Sequence, residues 1–194
     1  MNSEAAWFET LKQNVVYEGY STVRVDEVLT PDGVIVEREI VVRQDAAAVV
    51  AVTPDDQIIL VRQYRHAVES YMLEIPAGKV DVEGETVREA VVRELQEEAL
   101  YTVDELHHLT TFQNSIGWTN ERTYLFYAPQ AKPTPPPLYF RAEAEEAHME
   151  IVLLDFDEAV AAVEMQVIRD AKTALGILLA QKFRNRTVTS AVTT

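Results

Sequence analysis

Three glutamates, Glu94, Glu97 and Glu98, have a spacing that brings their carboxylates to one patch of a helix. Val91 and Leu95 define the apolar stripe of that helix, and Glu94 and Glu98 fall inside the same stripe. A solvated acidic face is the alternative interpretation, but it would place the acids opposite the stripe. Because buried like charges need compensation, the pattern favours a hard cation of the Mg²⁺ or Mn²⁺ type, completed by waters and substrate phosphate oxygens.

Arg93 stands four residues from both Glu89 and Glu97. Side chains at this spacing are neighbours on a helix, so Arg93 is predicted to bridge acids on two turns and to hold them in position. The alternative is an ordinary surface pair, which contributes only about 0.3–0.5 kcal/mol.

Composition narrows the possible partners. The chain has no cysteine, which excludes disulfides and thiolate metal sites and is compatible with the expected cytoplasmic location. Acidic residues outnumber basic ones 32 to 17, for a net charge of −15, so no nucleic-acid partner is expected. No signal peptide and no run of roughly 18 apolar residues is found, so no membrane association is expected. A chain this acidic that acts on phosphates needs cations.

The elements around the acidic helix predict a mixed-sheet α/β protein of the α+β type. Residues 14–43 read as an antiparallel β module with a turn at "PDG". Residues 130–150 are Pro-rich and then acidic, which predicts a surface loop. Six further strands are predicted at 46–53, 57–65, 71–78, 106–115, 122–129 and 150–156.

Two helices are predicted after the last strand. Asp155 and Glu158 resemble a capping box that opens a helix over 156–165. Asp170 is predicted to cap the final helix, and the residues after it are expected to fray. The leucines predicted to face inward from that helix are Leu175, Leu178 and Leu179.

The box from Gly78 through Glu85 to "RELQEE" at 93–98 resembles the motif of the Nudix family. The resemblance implies a Nudix fold, with a mixed sheet sandwiched between helices, and a loop–helix–loop whose glutamates bind the metals that activate a pyrophosphate. Six residues separate Gly78 from Glu85 where the family has five. Leu100 stands where the family closes with Gly, so the following loop is expected to take a different path.

Other segments resemble the ADP-ribose pyrophosphatase branch of that family: "LVRQYRHAV", "LEIPAGKVD" and "VIRDAKTALGILL". The branch implies a homodimer whose N-terminal β module is packed or swapped across the interface. The domains implied are a module at 1–44, a hydrolase domain at 45–184 and a flexible tail at 185–194. Ile116 replaces the Pro that the branch carries after the box, which departs from the ADP-ribose pattern.

The resemblance also implies roles for residues. Attack of a metal-activated water on a nucleoside diphosphate derivative is expected, with Mg²⁺ or alternatively Mn²⁺. Glu94 and Glu98 are the principal ligands, Glu97 is a ligand or supports the base, and the Ala77 carbonyl is a further ligand. The structural positions of the motif are Gly78, Glu85 and Arg93, with Glu85 orienting the loop or contacting metal through water. The catalytic residues expected are Glu97, Glu98 and, from the later loop, Glu143, Glu145 or Glu146, of which Glu145 and Glu146 come first.

Substrate contacts are expected from Arg38 and Glu39, and Arg62 and Arg65 either meet phosphates or pair with nearby acids. Trp118 is a candidate for stacking on the base, or else a core residue. The expected reaction is hydrolysis of ADP-ribose or an ADP-sugar to AMP and a sugar phosphate. The alternatives are hydrolysis of GDP-mannose, FAD, NADH or a dinucleoside polyphosphate, and a nucleotide sensor without activity.

Overall fold

The computed structural model describes residues 7–136 and 148–192, with side chains to residue 186. It contains twelve strands, one short 3₁₀ helix at His66–Val68 and three α-helices. The strands are β1 Glu9–Glu18, β2 Thr22–Leu29, β3 Ile35–Val42, β4 Ala46–Ala51, β5 Gln57–Arg65, β6 Ser70–Glu74, β7 Ala77–Lys79, β8 Tyr101–Thr102, β9 His107–Gln113, β10 Arg122–Ala128, β11 Lys132–Pro133 and β12 Glu150–Asp155. The α-helices are α1 Val87–Ala99, α2 Phe156–Glu164 and α3 Ala171–Val192.

The chain divides into two compact units. The first holds the residues up to Asp45 together with Gln113–Arg122, and its sheet is the antiparallel meander β1-β2-β3. The Gln113–Arg122 segment joins the free edge of β3, where the Val41 amide donates to the Trp118 carbonyl at 2.7 Å. The antiparallel module is therefore present, with an added segment that comes from far along the chain. The predicted domain limits at residues 44 and 184 stay a prediction.

The second unit is built on a mixed sheet of order β7-β4-β10-β9, in which β4 and β10 are parallel. The antiparallel sheet β12-β5-β6 and the small pair β11-β8 complete the unit. The short strand β11 lies in the stretch predicted to be loop, and its Pro133 is tolerated because the pair is only two residues long.

Strand β4 separates two apolar clusters, because successive side chains of a strand point to opposite faces. Val49 packs on one face in the cluster that includes Val91 and Leu95 of α1. Val50 packs on the other face in the cluster that includes Ile177 of α3 and Phe156 of α2. The predicted architecture, a mixed sheet sandwiched between helices, is confirmed.

The predicted capping box of α2 is wrong. Asp155 precedes the helix but makes no side-chain cap. Its carboxylate instead accepts a hydrogen bond from the Gln57 amide group at 3.1 Å. Asp155 is the last residue of β12 and lies opposite Gln57 of β5, so strand pairing takes the side chain away from the helix.

Helix α3 is capped as predicted, since the Asp170 carboxylate accepts from the Thr173 amide at 3.0 Å. The prediction that Leu178 faces inward is wrong, because its side chain is 42% exposed while Ile177 is fully buried. The helix also continues to Val192, since no Gly or Pro follows Phe183 to end it. No helix in the described part of the chain is long and apolar enough to cross a membrane.

Candidate active site

Helix α1 begins and ends at well-defined caps. The Thr86 hydroxyl accepts from the Glu89 amide at 3.3 Å, and the Glu89 carboxylate accepts from the Thr86 amide at 2.8 Å. This reciprocal pair is a capping box. At the other end, Leu100 has φ 57°, and its amide donates to the Gln96 carbonyl at 3.1 Å. Leu100 thus takes the left-handed conformation that Gly usually provides at a helix end.

The Glu98 carboxylate is held by the backbone of β7. The Ala77 amide donates to one of its oxygens at 2.9 Å. Burial raises the pKa of Glu98 to about 8, against that hydrogen bond, and the charge of Glu94 adds to the rise. A carboxylate in this setting is stabilised in its ionised form by a nearby cation.

Glu94 is buried, with only 9% of its surface exposed. Burial raises the pKa of its carboxyl to about 7, against the opposing charge of Arg93. The carboxylate lies directly over Gly78, where a Cβ atom would stand 1.9 Å from the carboxyl carbon. Glycine at position 78 therefore makes room for the Glu94 carboxylate.

Glu85, Glu94, Glu97 and Glu98 form an acidic cluster, and Arg93 contacts three of its four members. Its guanidinium donates to both oxygens of Glu85 at 2.9 and 3.1 Å, to Glu94 at 2.6 Å and to Glu97 at 2.9 Å. The predicted bridge to Glu97 is present, but the predicted partner Glu89 is wrong. Glu89 is taken by the capping box, and Glu85 replaces it because the turn before the helix folds back toward Arg93.

The donor chemistry of the cluster fits a hard divalent cation. In residues 7–136 and 148–192, no three acidic or histidine side chains converge closely enough to hold a metal ion as they stand. Arg93 donates a hydrogen bond to one oxygen of Glu94 and to one oxygen of Glu97, while the Ala77 amide donates to Glu98. The carboxylates of Glu94 and Glu98, with their raised pKa values, are nevertheless the oxygen ligands that such a cation prefers.

Arg65 pairs with an acid rather than lying free for a phosphate. Its guanidinium donates to both oxygens of Glu74 at 2.7 and 2.8 Å. Glu74 is 2% exposed and also binds Lys172. Burial alone would raise the pKa of Glu74, but the hydrogen bonds from Arg65 and the charge of Lys172 hold it below its ordinary value.

Arg62 lies on the same strand as Arg65 but is more accessible. Its guanidinium donates to Glu150 at 2.8 Å, and it lies 4.4 Å from the ring centre of Tyr71. The pair with Glu150 is solvent-exposed on both sides, so it holds Arg62 only weakly.

Arg38 and Glu39 line a cleft of about 500 Å³ within the first unit. Trp118, which is 56% exposed, lines the same cleft. The alternative that Trp118 is a core residue is therefore wrong. The three loop glutamates, Glu143, Glu145 and Glu146, lie outside the described residues.

Three residues that were not predicted from the sequence link α3 to the segment before β7: Glu74, Lys172 and Thr173. The available signal was Glu74 itself, a lone acid in the apolar run "YMLEIPAG". A buried acid in a strand needs a partner, but its position in the chain does not say which cation supplies it.

Comparison with known proteins identifies the family of the chain. The NUDIX domain family model matches residues 42–185. An ADP-ribose pyrophosphatase of Bacillus subtilis (strain 168) is 34% identical over 170 residues, covering 87% of this chain and 90% of the relative. A methanol dehydrogenase activator of Bacillus methanolicus is 32% identical over 170 residues, with the same two coverages. The solved structure of an ADP compounds hydrolase has a TM-score of 0.80 at 22% identity, covering 93% of this chain and 95% of that one, which supports the fold.

Proposed function

Since the chain belongs to the NUDIX domain family and is a hydrolase of pyrophosphate bonds, we propose that it cleaves ADP-ribose or a related ADP-sugar with Mg²⁺. Water adds to one phosphorus as the anhydride P–O bond breaks, giving AMP and a sugar phosphate. The observation that carries the proposal is a pair of carboxylates on α1: Glu94, which is buried against Gly78, and Glu98, which is half-buried and bound by the Ala77 amide.

Residues of the box and of the neighbouring strand β7 are assigned three roles in this reaction. Glu94, Glu97 and Glu98 would hold the divalent cation, Mg²⁺ or alternatively Mn²⁺, which would lower the pKa of water and offset the pyrophosphate charge. Arg93 keeps the carboxylates of Glu94 and Glu97 in fixed orientations. The Ala77 amide fixes Glu98, and its carbonyl is the proposed further ligand.

Two further groups are proposed to act on the substrate. Glu145 or Glu146, with Glu143 as the third candidate, supplies the general base from the part of the chain that lies outside the described residues. Arg38, Glu39 and Trp118 bind the base-bearing end of the substrate, since aromatic stacking holds any nucleobase while charged groups at its edge select among them.

Arg62 is the better candidate for a phosphate contact than Arg65. Its partner Glu150 is exposed and screened by solvent, so the pair is easily exchanged for a phosphate. Arg65 is held by both oxygens of a buried carboxylate, and removing it would leave that charge without full compensation. We assign Arg65 to the support of the site.

The test is release of AMP from ADP-ribose by the purified protein with Mg²⁺ or Mn²⁺, with Glu98→Gln as the control. Cleavage that is lost in Glu98→Gln and without metal is the expected result. GDP-mannose, FAD, NADH and a dinucleoside polyphosphate run beside it as the second candidate class. That class is favoured by Ile116, which is 85% exposed where the family's ADP-ribose branch has Pro. If the protein cleaves none of these compounds, the proposal is contradicted.

A further inference from the structure

A partly buried charge cluster, formed by Arg65, Glu74, Asp170 and Lys172, connects the first turn of α3 to the end of β6. Glu74 accepts from Arg65 through both oxygens and also binds Lys172. Lys172 reaches Asp170 as well, at 3.0 Å. Two carboxylates and two cations thus neutralise one another in a place where Glu74 is 2% exposed. Removal of one cation leaves a buried charge without full compensation.

Thr173 makes a second connection beside this cluster. Its hydroxyl donates to the Asp170 carboxylate at 2.6 Å and accepts from the Ile75 amide at 2.9 Å. The residue has no exposed surface. A hydroxyl with a donor role and an acceptor role is fixed in orientation, so Thr173 ties the backbone at Ile75 to the cap of α3.

The same backbone segment holds the Glu98 carboxylate. Ile75 is followed by Pro76, whose fixed φ limits movement of the chain, and then by Ala77, whose amide donates to Glu98 at 2.9 Å. Only one residue, Pro76, lies between the residue whose amide binds Thr173 and the residue whose amide binds Glu98. A shift at Ile75 is therefore passed on to Glu98.

Close packing leaves α3 little freedom to adjust. At Gly176 an added Cβ atom would lie 2.9 Å from Val50 and 3.3 Å from Ile75 and Leu125. Helix α3 therefore approaches β4 and the Ile75 segment at a distance that only glycine permits. The first turn of the helix is a rigid support for that segment.

We propose that Thr173 and Lys172 are positioning residues, which place the Glu98 carboxylate for the reaction by holding the Glu74–Ala77 segment against α3. The proposal rests on the function proposed above. It adds a role for a helix that contributes no side chain to the acidic cluster itself.

The test uses the full chain with two substitution pairs. Thr173→Val keeps the shape and removes the hydroxyl, and Thr173→Ser restores the hydroxyl. Lys172→Met removes the charge, and Lys172→Arg restores it. Ile177→Val, a truncation on the buried face of the same helix, is the control for loss of stability without loss of either connection.

Three experiments are made: binding of Mn²⁺ alone, steady-state kinetics that give kcat and KM for ADP-ribose, and hydrogen exchange of the Ala77 amide. Thr173→Val and Lys172→Met are each expected to weaken Mn²⁺ binding and to lower kcat about tenfold, as loss of supporting contacts does in metal sites. KM stays within about twofold, and the Ala77 amide exchanges faster. The two conservative variants retain wild-type behaviour.

The proposal is overturned if Thr173→Val and Lys172→Met keep wild-type Mn²⁺ binding, kcat and Ala77 exchange. In that case their only change would be a loss of stability like that of Ile177→Val. Failure of the wild-type protein to cleave ADP-ribose contradicts the proposed function instead. The Ala77 exchange rates and Mn²⁺ binding then still decide whether Thr173 and Lys172 position Glu98.

Discussion

Gly78 and Glu94 show how a single atom controls the acidic cluster. The Glu94 carboxylate occupies the space that a Cβ atom at position 78 would need. Arg93 also donates to this carboxylate, at 2.6 Å, so a hydrogen bond and the space at Gly78 together favour one orientation. Orientation of a ligand by its neighbours is part of the chemistry of such a site.

Gly78→Ala is expected to lower kcat at least about tenfold by displacing Glu94, with little change in the free energy of unfolding. Gly84, with φ 83° and nothing near its missing Cβ, is the matched glycine. Gly84→Ala is expected to cost about 1 kcal/mol of stability through left-handed strain while turnover is kept. Steady-state kinetics and urea unfolding of both variants check this crossed pattern. The same loss of turnover in both would contradict it.

Trp118 gives a direct optical test of base binding. The chain has two tryptophans, so Trp7→Phe leaves Trp118 as the single indole fluorophore. Addition of AMP to that variant is expected to quench its emission, because a base stacks on the exposed ring. Trp118→Ala is expected to raise KM about tenfold, as for the loss of one stacked base, with kcat unchanged. Emission unchanged by AMP would remove Trp118 from the substrate site.

Among the elements, α1 was the most predictable and its surroundings the least. Its apolar periodicity and the inward placement of Glu94 follow from spacing alone. The partner of Arg93 was mispredicted because Glu85 reaches it through a turn, which helical spacing does not describe. Asp155 was mispredicted because strand pairing with Gln57 competes with capping. Contacts between elements distant in sequence leave no local pattern.

Leu100 shows that the exit turn of α1 carries strain. Its φ of 57° places a Cβ atom in the left-handed region, at a cost of about 1 kcal/mol. Leu100→Gly is therefore expected to be about 1 kcal/mol more stable than Leu100→Ala, since both lack the side chain and only glycine removes the strain. Urea unfolding of the pair measures this difference. Equal stability would mean that the turn relaxes without cost.

The Glu74 cluster predicts a loss of stability in acid. Because the folded state holds the pKa of Glu74 below its ordinary value of 4.5, the contribution of Glu74 to stability is complete above that pH. The contribution is lost as the pH falls through the lowered folded value. Glu74→Gln is expected to be about 3 kcal/mol less stable at pH 7, because Arg65 and Lys172 lose a buried partner.

The measurement for Glu74 is the urea midpoint between pH 3 and pH 7 for wild type and Glu74→Gln. The stability difference between the two proteins is expected to shrink below pH 4.5. A difference that stays constant over the whole range would assign the acid sensitivity to other carboxylates.

Over the full chain, the order of elements was largely predictable, but the attachment of Gln113–Arg122 to the first unit was not. Alternation and turn residues identify strands locally. Pairing of Val41 with Trp118 joins residues far apart in sequence, and no short-range pattern encodes it.

The ten-residue strand β1 predicts the oligomeric state. It is the edge of its sheet, and every residue in it is exposed, including the apolar Val15 and Val16. Exposed edges of this kind pair with another chain, so a homodimer of the 21.9 kDa chain is expected. Light scattering is expected to show a dimer for wild type and a monomer for Val15→Lys/Val16→Lys. A wild-type monomer would contradict the prediction.

Strand β4 has a consequence for protein engineering. Its alternate residues belong to different apolar clusters, one containing Val91 of α1 and the other Ile177 of α3. Substitutions that do not share contacts combine additively. A combinatorial library can therefore vary the residues on the α3 side of the sheet to adjust stability, while the residues on the α1 side stay constant. Gly176 must be kept in such a library, because α3 contacts the sheet at Val50 too closely for a larger residue.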